Sequence, residues 1–374
     1  MTQLIKTPAL SVDFNRDLCA MQASGALARI VQPVLEMINN RLEEEKPAQV
    51  RLKDIVVSTW LPPIPSGPFQ RLLLNEAKAA IGRPVPSTLS IEVTRRCGAK
   101  CDHCLIRDGE GELTRTEILR VIDQALEMGA CIITFTEGDP LLREDIFDLI
   151  RHVDPDKAVV NLFTPGLDLT VEKAVRLREA GLYNLIIGVY STDPQEHDRV
   201  RGVPGAYDRA IEAIRTALDT GLLVTMACHI KSGQVSRICD LYNLAAELGV
   251  QELSVWEGMP KSPEEKLTLI EREQILDIYR KINSTPGGPR LFANTYFEGQ
   301  MLGCMAGRRW MHVAVDGSVR GCPYLRESYA SVKDVSLKHA WKALRSSGQF
   351  EGFLCHCPAQ DLLPSADPTD SSLP

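Results

Sequence analysis

Cys97, Cys101 and Cys104 stand at a C-x3-C-x2-C spacing within Thr94-Arg95-Arg96-Cys97-Gly98-Ala99-Lys100-Cys101-Asp102-His103-Cys104. A loop this short brings three thiolates onto one small centre. Structural zinc sites normally take four protein ligands, and iron–sulfur clusters usually take four cysteines. Three ligands on one loop therefore point to a [4Fe–4S] cluster with one iron open to a substrate or cofactor. A zinc knuckle, or thiols that share no centre, is the plainer alternative. A second group lies towards the C-terminus, where Cys304, Gly317 and Cys322 stand at C-x12-G-x4-C and Cys355-His356-Cys357 follows. Seven of the eleven cysteines fall in these two groups, which is the pattern of metal sites rather than of a disulfide framework. Cys131, Cys228 and Cys239 lie in apolar strand or helix patterns and read as core residues, as does Cys19.

Elements must hold these groups. From 89 to about 282 short apolar runs alternate with helical patterns. Strands are expected at 89–94, 131–136, 158–163, 184–190, 223–230 and 252–257, rich in Ile and Val as buried parallel strands are. Thr114 with Glu117 forms a capping box ahead of Ile118, Ile122 and Ala125, and Gly249 ends a helix lined by Ile238, Leu241, Ala245 and Leu248. Six such units predict an α/β fold with a parallel sheet, open or closed. Cys97 to Cys104 follow the first strand directly, at its C-terminal end, where barrels carry their chemistry. After about 285 the character changes. Asp316-Gly317 reads as a tight hairpin turn that brings Cys304 and Cys322 to the same end. Residues 1–85 carry an interrupted amphipathic pattern with Pro33 inside it, then Trp60-Leu61-Pro62-Pro63, and are expected to be mostly helical. They would cover an end or side of the next domain, or touch substrate or a membrane surface. Residues 361–374 are rich in Ser, Pro and Asp and are expected to be disordered.

The three-cysteine loop resembles the signature of the radical S-adenosylmethionine (SAM) superfamily, and residues 86 to 360 carry further likenesses. The resemblance implies a partial (β/α)6 TIM-like barrel over 86–288. It also implies SAM chelated at the open iron of a [4Fe–4S] cluster, and reductive cleavage of SAM to a 5′-deoxyadenosyl radical that abstracts hydrogen from a substrate. Thr136-Glu137-Gly138-Asp139-Pro140 is similar to the family's Gly-Gly-Glu-Pro motif, which binds the SAM amino group; here Glu137 replaces the first Gly and Asp139 the acid. An acid there makes a charge-assisted bond to an ammonium, although Asp139 ahead of Pro140 also reads as a helix cap. By the same resemblance Gly138, Thr164 and Ser191 would touch SAM. Arg199 or Arg201 would meet its carboxylate, and His103 and Trp256 would lie against adenine or substrate. His229, Lys231, Glu257 and Met259 also end strands there. The C-terminal cysteines resemble the start of a SPASM or twitch domain over 289–360. Cys304, Cys322, Cys355 and Cys357 would then hold one auxiliary [4Fe–4S] cluster, with zinc as the alternative.

A net charge of −7 leaves no basic footprint for nucleic acid. No apolar run approaches a membrane span, and no basic-then-apolar signal opens the chain, so a reducing cytoplasm is expected. The expected function is oxidation or crosslinking of a peptide or small molecule, with a reducing partner such as flavodoxin or ferredoxin. Modification of a lipid, or a non-catalytic iron–sulfur or zinc protein, stands as the alternative.

Overall fold

The computed structural model describes residues 2–15, 20–104, 111–352 and 357–361 of the 374-residue chain. Three antiparallel strands come first, β1 (Thr2–Lys6), β2 (Ser11–Asn15) and β3 (Ala20–Ser24). The helix Ala28–Glu44 follows, with Pro33 inside it. Then come the short pair β4 (Gln49–Val50) and β5 (Ile55–Val56), and the helix Gly67–Ala80 capped by Ser66. The three-stranded sheet adds to a start expected to be mostly helical. Its signal was only a few alternating positions, with Val12 and Phe14 facing inward between polar neighbours. Val31 and Leu35 pack with Phe14, Ile64 and Phe69 in a separate small core. Val31 and Leu35 of the long helix are thus buried inside the protein, while Ile30 of the same stripe is exposed.

The main sheet begins with β6 (Thr88–Glu92), β7 (Ile132–Thr136), β8 (Val159–Thr164), β9 (Asn184–Gly188), β10 (Leu223–Ile230) and β11 (Glu252–Glu257). All are parallel and hydrogen-bonded in chain order. Their inward and outward faces are both buried, as helices cover the outside and one core runs through Leu89, Ile133, Leu162, Leu185 and Val224. The capping box at Thr114 is formed, and Gly129 and Gly249 end their helices in the left-handed conformation. The fold is a mixed α/β structure with a parallel, partial TIM-like barrel.

The hairpin at Asp316-Gly317 was legible, but that it and a further strand extend the barrel sheet was not. β12 (Arg290–Ala293) continues the sheet beyond β11, and β13 (Trp310–Val313) lies parallel to β6 on the other side. β14 (Ser318–Arg320) and β15 (Ala330–Ser331) complete an antiparallel meander outward from β13. The chain beyond 288 is thus built onto both edges of the barrel sheet. A sequence break at Gly287-Gly288 marks a turn, not the end of the sheet. The turn Asp316-Gly317 joins β13 to β14, with Gly317 at φ 95°.

The barrel has a floor made from the N-terminal segment. Ser58 and Thr59 donate to the buried Glu252 carboxylate at 3.1 and 2.6 Å. Thr225 donates to Thr59 at 2.7 Å, and Tyr183 donates to the Leu61 carbonyl at 2.9 Å. All these partners lie at the beginnings of strands. Trp60 rises from this floor into the barrel, its indole N–H donating to Ser254 at 3.1 Å and its ring 5.1 Å from that of Trp256.

Candidate active site

The three-cysteine loop leaves β6 and is pinned from one side. The Lys100 and Asp102 amides donate to the Arg201 and Val200 carbonyls at 2.8 and 3.1 Å. Gly202, at φ 66°, closes the helix Pro194–Arg201 against the loop; a Cβ there would stand 2.5 Å from the Lys100 carbonyl oxygen. Gly138 packs as tightly on the other side, where a Cβ would lie 2.3 Å from the Thr94 carbonyl oxygen. Cys97, Cys101 and Cys104 all line one cavity of about 370 Å³ that fills the barrel. Arg201 donates to the Cys101 sulfur and the Ala99 amide to the Cys97 sulfur, each at 3.4 Å. Donors of this kind favour thiolate, whereas burial alone pushes the Cys97 thiol up. Among the described residues no three His, Cys, Asp or Glu side chains gather closely enough to hold a single metal ion. Three thiols spread round a common cavity, with N–H donors behind them, suit a cluster wider than one ion.

Arg201 is buried and committed. It donates to the Gly188 carbonyl at 2.7 Å as well as to Cys101, and lies over the Tyr190 ring. Arg199 is two-thirds exposed and pairs loosely with Glu196, so it does not reach the cavity. Ser191 donates to Glu196 at 2.9 Å and accepts from the Asp193 amide, a turn role that also keeps it off the cavity wall. His103 does line the cavity. It contacts the Tyr190 hydroxyl at 3.1 Å and the His229 ring edge-on, and burial pushes its pKa down. Thr164, Gly138, Glu137 and Trp256 also line it.

Asp139 is fully buried. One carboxylate oxygen accepts from the Leu141 amide at 3.1 Å and the Thr164 hydroxyl at 2.9 Å, which makes it the cap of the short turn Pro140–Leu142. Its other oxygen has no partner among the described residues, so one lone acceptor is left beside the cap. Glu137 has φ 60° and is the one described non-glycine residue in the left-handed region. Such a conformation costs about 1–2 kcal/mol. Burial, helped by the neighbouring Glu92, pushes its carboxyl up to about 8.

Cys304, Cys322 and Cys357 line a second, small cavity together with Glu298, Glu257 and Met259. Burial pushes Cys304 up to about 11 and Cys357 to about 12, each raised further by neighbouring acids or thiols. A bound metal centre reverses that preference by taking the thiolate form. Glu298 comes from a π-helical turn, Phe297–Met301, and is pushed up to about 7 by burial. Neither its position nor that of Trp60 carried a motif. Cys355 lies outside the described residues, as do Cys19 and the tail from 362. Cys131 and Cys228 are buried as expected, but Cys239 is exposed because it sits beside, not within, the Ile238-Leu241-Ala245 stripe. Lys231 is paired with Glu265 at 2.8 Å. Trp256, Trp310 and Tyr324 line both cavities, so they form the wall between them.

An open parallel barrel with a three-cysteine loop at the C-terminal end of its first strand defines a class of enzymes that generate radicals from SAM. Residues 91–234 match the model of the Radical SAM superfamily. That family is one of [4Fe–4S] enzymes that use SAM, which is what the match implies. The chain is 26% identical over 314 residues to an AdoMet-dependent heme synthase of Oleidesulfovibrio alaskensis, covering 74% of this chain and 81% of the relative. It is 28% identical over 302 residues to a PqqA peptide cyclase of Streptomyces rochei, covering 74% and 80%. Among solved structures it resembles Streptococcus suis SuiB bound to S-adenosylmethionine, with a TM-score of 0.61, 16% identity, and 74% and 72% of the two chains covered. It also resembles anSMEcpe with bound AdoMet and Cp18Cys peptide, with a TM-score of 0.54, 17% identity, and 70% and 81% covered. These structural likenesses concern the fold. No helix among the described residues is long and apolar enough to cross a membrane.

Proposed function

We propose that the protein oxidises or crosslinks a peptide or small molecule held in the barrel cavity, and that it carries a second iron–sulfur cluster beyond the wall of that cavity. The observation that carries this reading is the pair of cysteine-lined cavities separated by Trp256, Trp310 and Tyr324. A substrate against that wall would lie between the two groups. Peptide substrates are favoured by the name of the PqqA peptide cyclase and by the peptide-bound anSMEcpe complex.

In this reading Cys97, Cys101 and Cys104 hold the catalytic cluster. When bound, that cluster would supply the one-electron reduction on which SAM cleavage depends. The protein's own residues do the remaining work. Arg201 steadies the Cys101 sulfur, and Gly138 lets the turn approach the loop. The Asp139 oxygen without a described partner would take the SAM ammonium, and Thr164 holds that carboxylate in orientation. His103, Tyr190 and His229, with rings tilted 59–71° to one another, would offer an aromatic edge-and-face pocket to adenine. The floor at Ser58–Trp60 excludes water from below, which preserves a reactive intermediate. Cys304, Cys322 and Cys357, with Cys355, would hold the auxiliary cluster, and a flavodoxin or ferredoxin would supply reducing electrons.

Replacing Cys97, Cys101 and Cys104 together with Ala should abolish 5′-deoxyadenosine formation under dithionite and leave iron bound at the C-terminal group. Mössbauer spectra of that triple variant should show a [4Fe–4S] cluster. Continued 5′-deoxyadenosine formation would overturn the assignment of the catalytic loop. Loss of all iron, or zinc in its place, would overturn the second cluster.

A further inference from the structure

We propose that Glu137 is a substrate-recognition residue, and that it takes a basic nitrogen of a molecule whose body is aromatic or apolar. The inference rests on the reading that the barrel cavity holds the substrate, and it assigns Glu137 a role different from SAM binding.

The first ground is direction. Asp139 faces β8, where Thr164 bonds to it and Asp168 and Lys173 are its charged neighbours. Glu137 faces the other way. Its neighbours are Glu92 at the end of β6, Arg320 of β14, and Tyr324. Two acids two residues apart, turned to opposite sides of β7, do not share one ammonium. Glu137 is turned instead to Tyr324, part of the wall shared with the C-terminal cysteine cavity.

The second ground is that the other charges of the cavity wall are spoken for. Arg309 and Glu76 form a two-point pair at 2.7 Å. Arg201 is held by Cys101 and Gly188. Beside the cavity but not lining it, Glu92 is bonded by His312 and the Val315 amide, each at 2.9 Å. Glu137 lines the cavity with no hydrogen bond or ion pair to any described residue; Arg320 lies within electrostatic range but forms no ion pair with it.

The third ground is contrast. Much of the cavity wall is aromatic, with Trp60, Phe163, Trp256, Phe292, Trp310 and Tyr324 on it. In such surroundings a carboxyl is costly to ionise alone, and burial pushes Glu137 up accordingly. An arriving ammonium or guanidinium meets that cost, and with little water between the two charges their attraction is strong. The backbone gives the same indication. A glycine would adopt the φ of 60° at this turn without strain, yet the sequence spends a glutamate there.

The test is a calorimetric titration of the anaerobically reconstituted holoenzyme with SAM bound. The probes are 2-phenylethylamine and 3-phenylpropionate, which have the same body and opposite charge. The wild type should bind the amine at least tenfold more tightly than the acid. Glu137→Gln and Glu137→Gly should each lose that preference, and their SAM affinity should stay within twofold of wild type. Glu137→Gly, which relieves the backbone, guards against a folding defect, and thermal melts of both variants check it. A wild type with no preference for the amine, or variants that keep it, would overturn the proposal. So would a fall in SAM affinity in both variants, which would return Glu137 to the cofactor. If wild-type enzyme makes no 5′-deoxyadenosine under reductant, the functional reading fails separately, and the amine comparison still decides the role of Glu137.

Discussion

A glutamate at φ 60° stores energy that a glycine would not. The left-handed conformation costs a non-glycine residue about 1–2 kcal/mol, and glycine returns about 0.5–1 kcal/mol of that through its freer unfolded chain. Glu137→Gly should therefore stabilise the fold by roughly 1 kcal/mol, read as a higher urea midpoint at unchanged slope; a lower midpoint would mean that the glutamate is anchored by contacts worth more than its strain. His197 makes a pH-dependent contribution. It is fully buried, its Nδ1 accepts from the Tyr190 amide at 3.2 Å, and its Nε2 has no described partner. Burial, with Arg201 nearby, pushes its pKa down to about 4. The folded state thus prefers the neutral ring, while the unfolded chain binds a proton from about pH 6.5 downward. Stability is complete above that value and is lost as pH falls towards 4, up to on the order of 3 kcal/mol. Melts at pH 7 and pH 5 should show a steeper fall for wild type than for His197→Asn, and equal falls would refute the assignment.

Among the elements, the floor of the barrel holds a buried set of charges. Arg290, on β12, is paired with Glu45 and with Glu252 on β11, and its guanidinium also reaches the Tyr279 hydroxyl at 3.2 Å. Removing one partner of such a set leaves the other charge buried and uncompensated, at a cost of about 3–5 kcal/mol. Glu252→Ala should lower stability by that order in a denaturant melt. Arg290→Met combined with Glu252→Gln should cost less than the two single changes added together. Additive costs would mean that the pair does not interact. Elements of this kind were only partly legible. The six strands announced themselves because Ile- and Val-rich runs between capped helices have few other uses. Arg290-Leu291-Phe292-Ala293 was not recognised because a single arginine opens a run of only three apolar residues, and its partners lie far away in sequence. The alternation in β2 was likewise too short to outweigh the helical pattern that follows it.

At the scale of the molecule, the chemistry was more legible than its setting. Cysteine spacing is a local property, so the loop at Cys97–Cys104 and the Cys304–Cys322 hairpin could be read directly. Which polar residues face the cavity is a property of the closed barrel, and Ser191 and Arg199 fell to turn and surface roles because their nearest partners, Asp193 and Glu196, lie on the same short helix and its cap. The aromatic lining was out of reach for the same reason, since Trp60, Phe163, Trp256 and Phe292 come from four separate stretches of chain.

The floor joins Ser58 and Thr59 to Glu252, 194 and 193 residues further on. A chain made from its N-terminus presents that segment long before the strand ends it seals exist. It must wait, with Trp60 and its prolines unburied, until β9 to β11 have been synthesised and aligned. Closing a contact over that span is slow, because loop-closure entropy is lost before the contact repays it. The barrel is therefore assembled around an opening that is stoppered last by residues that were made first. During that interval the aromatic interior has no floor beneath it.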